Sequence, residues 1–188
     1  MSSARSAGFT LLEVLVALLV LALGILGGTA MQLSALRTRH ESALMSQAGN
    51  IASALAERIR TNGGLMHSPD GGNPYLSLNY DALAEPDPAP PEPLCYAAGV
   101  HCGSAELALF DLYELKVMVR DHLPAGRAVV CRDASVWSGG HLHWACSGGA
   151  SAPLVVKVGW RGKNTDGTPQ RDVDGQFAPG VAVVVGAP

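Results

Sequence analysis

An apolar run opens at Gly8 and lasts to about Leu33, and one carboxylate, Glu13, sits inside it. A run of this length spans a bilayer as a helix. An ionisable side chain at such a place costs several kcal/mol and is expected to be functional. Glu13 therefore needs a positive partner. Cleavage of the chain between Gly8 and Phe9 would supply one, the new α-amino group four residues away on the same helical face. The alternative is an ordinary signal anchor with a stray carboxylate. A secretory signal fits poorly, because its short apolar region ends in a small-residue cleavage site. Here Gly24, Gly27, Gly28 and Ala30 lie inside a continuing helical pattern.

The sequence Gly8-Phe9-Thr10-Leu11-Leu12-Glu13 followed by the apolar run resembles the prepilin leader of type IV pilins and of the pseudopilins of type II secretion. The resemblance implies cleavage after Gly8 by a prepilin peptidase and N-methylation of Phe9. It also implies that Glu13 sets subunit register by pairing with the Phe9 amine of a neighbour. The parts expected are a leader (1–8), a transmembrane half-helix (9–33), an amphipathic continuation (34–62) and a periplasmic head (63–188). Arg5 favours a cytoplasmic N-terminus, whereas Arg37 and Arg39 weaken that argument, so orientation rests on the resemblance and on the cysteines.

The helix should continue past the membrane. Leu36, Leu44, Ala48, Ile51, Ala52, Leu55 and Ile59 give one apolar stripe, opposite Arg37, Glu41, Gln47, Asn50, Ser53, Glu57 and Arg60. Asn62-Gly63-Gly64 is a stop. Phe9 to Thr61 is thus one helix of roughly 80 Å. Two readings of Gly24, Gly27 and Gly28 stay open: a locally unwound turn tolerated among neighbouring shafts, or close helix packing.

The remaining residues suffice for one modest domain. Met66–Pro93 reads as mostly loop, ending in the extended, proline-rich stretch Ala84–Pro93. Ser104–Leu123 reads as a helix beginning at Ser104 and ended by Pro124 and Gly126. Arg127–Arg132, Leu142–Cys146, Leu154–Trp160 and Val181–Val185 read as strands of an antiparallel sheet, with Gly162–Gly175 a polar loop. The fold class is α+β: a long N-terminal helix, transmembrane and then amphipathic, packed on a small antiparallel sheet.

The cysteines, Cys95, Cys102, Cys131 and Cys146, form an even set in a translocated domain and read as two disulfides. Three pairings are possible. Proximity favours Cys95–Cys102 and Cys131–Cys146. Residues Asp70 to Glu114 hold eight acidic side chains and no Lys or Arg; from Leu115 onward eight basic residues face five Asp. Such asymmetry steers head-to-tail contacts or is simply solvated. The basic residues are dispersed, so no nucleic-acid partner is expected.

Chemistry is thin. His141, His143 and Cys146, with His101 and Cys102, match no closed zinc spacing. Asn164, Asp166, Asp172 and Asp174 offer oxygen ligands for calcium, against the plainer reading of Asp-Gly hairpin turns. Ser138, His141 and Asp133 lack a nucleophile elbow. No enzyme activity, resident metal or cofactor is expected. Of Trp137, Trp144 and Trp160, at least two are expected in the core.

Three later segments resemble one branch of the family, the pilus-modification minor pilins (PilV). They are Ala48–Asn62, Asp111–Glu114 through His122–Arg127, and Val155–Trp160. The pattern departs at Ala125, where the resemblance implies a second glycine, and this bears on turn geometry. The resemblance implies a minor pilin that primes pilus assembly and enters the fibre in low amount. The implied partners are other minor pilins, the major pilin, the prepilin peptidase and the inner-membrane assembly platform. The alternatives are a minor pseudopilin and a pilus-borne adhesin or DNA-binding module.

Overall fold

The structure is a computed structural model, and it describes residues 8, 10–66, 68–164, 166–171 and 175–186. The chain divides into two compact units, residues up to His40 and residues from Glu41. Helix α1 runs unbroken over Leu11–Thr61, through Gly24, Gly27 and Gly28. In the first unit its apolar side chains are exposed all round, from Leu11 to Leu36. Leu36, expected on the buried stripe, belongs to this unit and is exposed. The hydroxyls of Thr29 and Thr38 donate to the carbonyls of Leu26 and Ser34 and are satisfied within the helix.

In the second unit the stripe is buried: Leu44, Ala48, Ile51, Ala52, Leu55, Ala56 and Ile59. It joins a core with Tyr75, Leu78, Tyr80, Leu112, Leu115 and Val119, and with the inner face of a sheet. After a one-turn helix, α2 (Gly63–Met66), two 3₁₀ turns lead to strand β1 (Asn79–Asp81). Helix α3 spans Ser104–His122, and β2 (Arg127–Arg132), β3 (Trp137–Ser138), β4 (His141–Leu142), β5 (Leu154–Gly159) and β6 (Pro179–Gly186) follow. The main sheet is an antiparallel meander, β1-β2-β5-β6.

Three details differ from the sequence reading. Strand β1 lies in a stretch read as loop, because three residues leave too short a pattern to detect. The cap of α3 is Gly103, not Ser104: Glu106 reaches back to accept the Gly103 N–H at 2.8 Å. Leu142–Cys146 is not one strand. Trp137-Ser138 and His141-Leu142 form a two-residue hairpin around Gly139 and Gly140, both at positive φ as that turn requires.

Residues 143–146 leave extended pairing because their carbonyls serve a buried cation. Strand β5 is buried on both faces. Leu154, Val156 and Val158 point to the helices, while Val155 and Lys157 point to the opposite face. The segment 133–153 covers that second face. Lys157, fully buried, donates to the carbonyls of His143 (2.8 Å) and Ala145 (2.7 Å) and meets Asp133 Oδ2 at 2.6 Å. Asp133 Oδ1 accepts the N–H groups of Ser135 and Ser147. Cys131 on β2 is bonded to Cys146 on the same covering segment. Burial raises the Asp133 pKa, but Lys157 and the two N–H groups outweigh it, and the net shift is downward from 3.8.

A second polar cluster closes the end of α1. Tyr75 donates to Asp111 Oδ2 at 2.6 Å, and Asn62 donates to the Tyr75 hydroxyl at 3.2 Å. Arg58 pairs with Asp111 at 3.0 Å and with Glu114. Burial, then the Asp111 contact, pushes the Tyr75 phenol well up, so it stays a donor. Arg60 donates to the carbonyls of Val184 and Val185, fixing the β6 end to the same helix. Trp160 donates to Glu41 at 3.3 Å.

Two predictions concern this framework. Because the folded Asp133 pKa lies below its unfolded value, its stabilisation is complete above about pH 4 and is lost as pH falls through the folded value. Asp133→Asn should cost about 3 kcal/mol at neutral pH by stranding Lys157, and should flatten the acid side of the stability–pH curve. Urea unfolding of the chain in micelles from pH 2 to 7 measures both. Separately, Ala125 holds φ at +50°, a left-handed conformation that costs a side-chain-bearing residue about 1 kcal/mol. Ala125→Gly should raise the melting temperature. Gly180→Ala should lower it by about 2 kcal/mol of stability, since a Cβ there would come within 2.3 Å of the Trp160 ring.

Candidate functional site

The N-terminal segment combines the most unusual sequence with the most exposed apolar surface. Gly8 is exposed and lies outside any helix, and Phe9 lies outside the described residues. Thr10 caps α1. Its carbonyl accepts the N–H groups of Glu13 (3.1 Å) and Val14 (3.3 Å), and its hydroxyl accepts the Glu13 N–H at 3.3 Å. Thr10 and Glu13 thus stand at the N-cap and third helical positions, the spacing of a capping box. The sequence reading began the helix at Phe9 and used Thr10 only as part of a leader pattern, yet the Thr-x-x-Glu spacing was the signal for a helix starting at Leu11.

This geometry explains where the Glu13 carboxylate can sit. It occupies the first turn of α1, next to N–H groups without intrahelical partners. The positive end of the helix dipole favours an anion there. The next charged side chain along the helix is Arg37. Among the described residues, α1 is the one helix long and apolar enough to cross a membrane, and none of its apolar window is buried in the chain itself.

The other sequence candidates are placed as follows. Cys95 is bonded to Cys102 and Cys131 to Cys146, and no cysteine is free among the described residues. His141 and His143 sit by the small hairpin, where His143 Nδ1 lies 2.9 Å from the Ala145 carbonyl. Ser138 and His141 face each other across that hairpin, while Asp133 is committed to Lys157. Of the calcium candidates, Asp172 and Asp174 lie outside the described residues. Asp166 Oδ1 accepts the Thr168 N–H (2.8 Å) and hydroxyl (2.6 Å), and these bonds hold its pKa below the ordinary carboxylate value. Asn164 donates to the Thr168 hydroxyl at 2.9 Å. Both side chains thereby close a turn around Gly167. Among the described residues no three His, Cys, Asp or Glu side chains gather as a metal site. Trp144 and Trp160 are buried and Trp137 is exposed.

A family model of the prokaryotic N-terminal methylation motif matches residues 3–29. The match spans Gly8 to Glu13 and the first part of the apolar run. It supports a type IV pilin-like protein, of pilus or pseudopilus, and with the exposed apolar helix it fits membrane anchoring. No curated protein and no solved structure matches the chain.

The cap yields a prediction of its own. Thr10→Ala removes an N-cap worth about 1 kcal/mol. Amide hydrogen exchange at Glu13 in micelles should then accelerate by about fivefold, with the head amides unchanged. Equal exchange in both forms would mean that the hydroxyl does not hold the helix start.

Proposed function

We propose that the chain is a minor pilin of a type IV pilus, most similar to the PilV branch, that primes fibre assembly and enters the fibre. The observation that carries this reading is the methylation motif leading into a helix whose apolar side chains from Leu11 to Leu36 are uncovered. Gly8 and Phe9 are the proposed cleavage pair, Phe9 the methylated terminus and Glu13 the register residue. Before assembly, residues 9–33 hold the subunit in the inner membrane, residues 34–62 continue the helix and residues 63–188 form the periplasmic head. The assembled fibre carries the head to the surface. The partners in this reading are the prepilin peptidase, the assembly platform, the other minor pilins and the major pilin.

The role is structural rather than catalytic. Lateral packing of uncovered shafts supplies the association energy, by dispersion in lipid and by apolar burial in the fibre. A buried carboxylate at a fixed depth then favours one axial offset, because only that offset gives it a cation. Support for the PilV branch is narrower. The segments that resemble it meet one another in the head: Arg58 pairs with Asp111 and Glu114, and Gly159 pairs with Arg127 across the sheet.

The expected outcome is a marked loss of sheared surface pili in a strain lacking the chain. Intact gene should restore them and a Glu13→Ala form should not. Unchanged pili together with impaired protein secretion would instead identify a pseudopilin.

A further inference from the structure

The eight basic residues after Leu115 fall into two groups. Lys116, Arg120, Arg132 and Lys157 each meet a carboxylate, from Glu85, Asp87, Asp70 and Asp133 respectively. The side chains of Arg127, Arg161, Lys163 and Arg171 meet none among the described residues. Three of these four line a single cavity of about 320 Å³, together with Trp144 and Phe177. The Arg127 guanidinium lies 4.5 Å from the Trp144 ring centre. Those of Arg171 and Arg161 lie 4.9 and 5.4 Å from the Phe177 centre. Arg127 is partly engaged by Gln176 and Asn79, and Arg171 by the Gly175 carbonyl. The Arg161 guanidinium donates to no protein acceptor among the described residues. Asp81 also lines the cavity, and its Oδ1 accepts the Leu83 N–H. Among the described residues, three cations and one anion line a concave, ring-bearing site. Such a site attracts an anion that carries apolar rings beside its charge.

One exposed segment of this chain has that chemistry. Within Ala84–Pro93, Glu85 and Asp87 are held by Lys116 and Arg120, and the Cys95–Cys102 bond follows directly. Between these anchors, Pro90-Pro91-Glu92-Pro93 presents an exposed carboxylate that meets no cation among the described residues. We propose that the cavity receives this stretch from a second copy of the chain. Glu92 is taken by Arg161 and Arg171, and the proline rings rest on Phe177 and Trp144. Arginine forks match carboxylates in two parallel bonds. Proline rings pack on aromatic faces, and anchoring the segment at both ends lowers the ordering cost of binding. The two surfaces differ, so the contact between two copies is head-to-tail. The inference concerns the head alone and does not rest on the pilus reading.

The test is calorimetric titration of the full chain in detergent micelles with a synthetic peptide of residues Asp87–Leu94. Saturable binding is expected, weakened by added salt. Glu92→Gln in the peptide, or Arg161→Ala with Arg171→Ala in the protein, should weaken it by about tenfold. Arg161 and Arg171 are exposed, so the protein variant should melt as the parent does; the peptide variant needs no folding control. Three results would each overturn the proposal. One is no saturable binding. Another is equal binding of the Glu92→Gln peptide. The third is arginine-dependent binding of inorganic phosphate or a single-stranded oligonucleotide that the peptide fails to displace. Pilus assembly is not read in this experiment, so its failure leaves the pilin-like reading untouched.

Discussion

An apolar stripe along the second half of α1 has to be covered, and the arrangement of the head follows from that need. Leu44, Ala48, Ile51, Leu55 and Ile59 follow one another at intervals of three and four, with Ala52 and Ala56 beside them. These side chains share one core with α3 and the inner face of the sheet. Where the stripe ends, the polar cluster of Arg58, Asn62, Tyr75, Asp111 and Glu114 takes over. It satisfies the groups that packing around the helix end would otherwise strand without partners. Upstream of Glu41 the same helix has no such cover. The difference lies in the side chains: an apolar stripe needs a lid, whereas an apolar cylinder needs lipid or other cylinders.

Charge organisation within the head follows a second rule. A sheet covered by helices on one face still has another face, and here a buried lysine organises it. Lys157 draws the 133–153 segment across the sheet through one carboxylate and two carbonyls, and the Cys131–Cys146 bond pins the same segment. The other acid–base pairs tie loops to the frame: Asp70 to Arg132, Glu85 to Lys116 and Asp87 to Arg120. Much of the sequence asymmetry between an acidic middle and a basic C-terminal part is therefore spent inside the head.

Regular patterns made part of this legible. The long helix, the α3 span, the β2 and β5 strands and the antiparallel class follow from periodicities of 3.6 and 2 sustained over enough residues. Strand β1 was invisible because three residues carry no pattern. The 143–146 stretch looked like a strand because its composition is apolar, and only the buried Lys157 ammonium explains why its carbonyls turn away from a ladder. Lys157 itself reads in sequence as an ordinary surface lysine between valines, since its partner Asp133 is distant in the chain. The arginine cavity was equally hidden: Arg127, Arg161 and Arg171 converge only through the folding of the sheet and its loops. Ala125 is the opposite case, a local departure in sequence that coincides with a strained backbone angle. At the N-terminus the motif was plain, while the capping role of Thr10 needed the helix start to be located.

All of the functional reading depends on where the mature chain begins. With the leader attached, Glu13 lies beyond a polar stretch and has no amine at helical spacing. After cleavage, a positive terminus would stand four residues before the carboxylate in sequence. Intact-mass spectrometry of the chain isolated from the membranes of its own cells measures this directly. The account predicts a single mature species beginning at Phe9 and carrying one methyl group on its N-terminus. A chain that retains residues 1–8, or one cut after the apolar run, would contradict it.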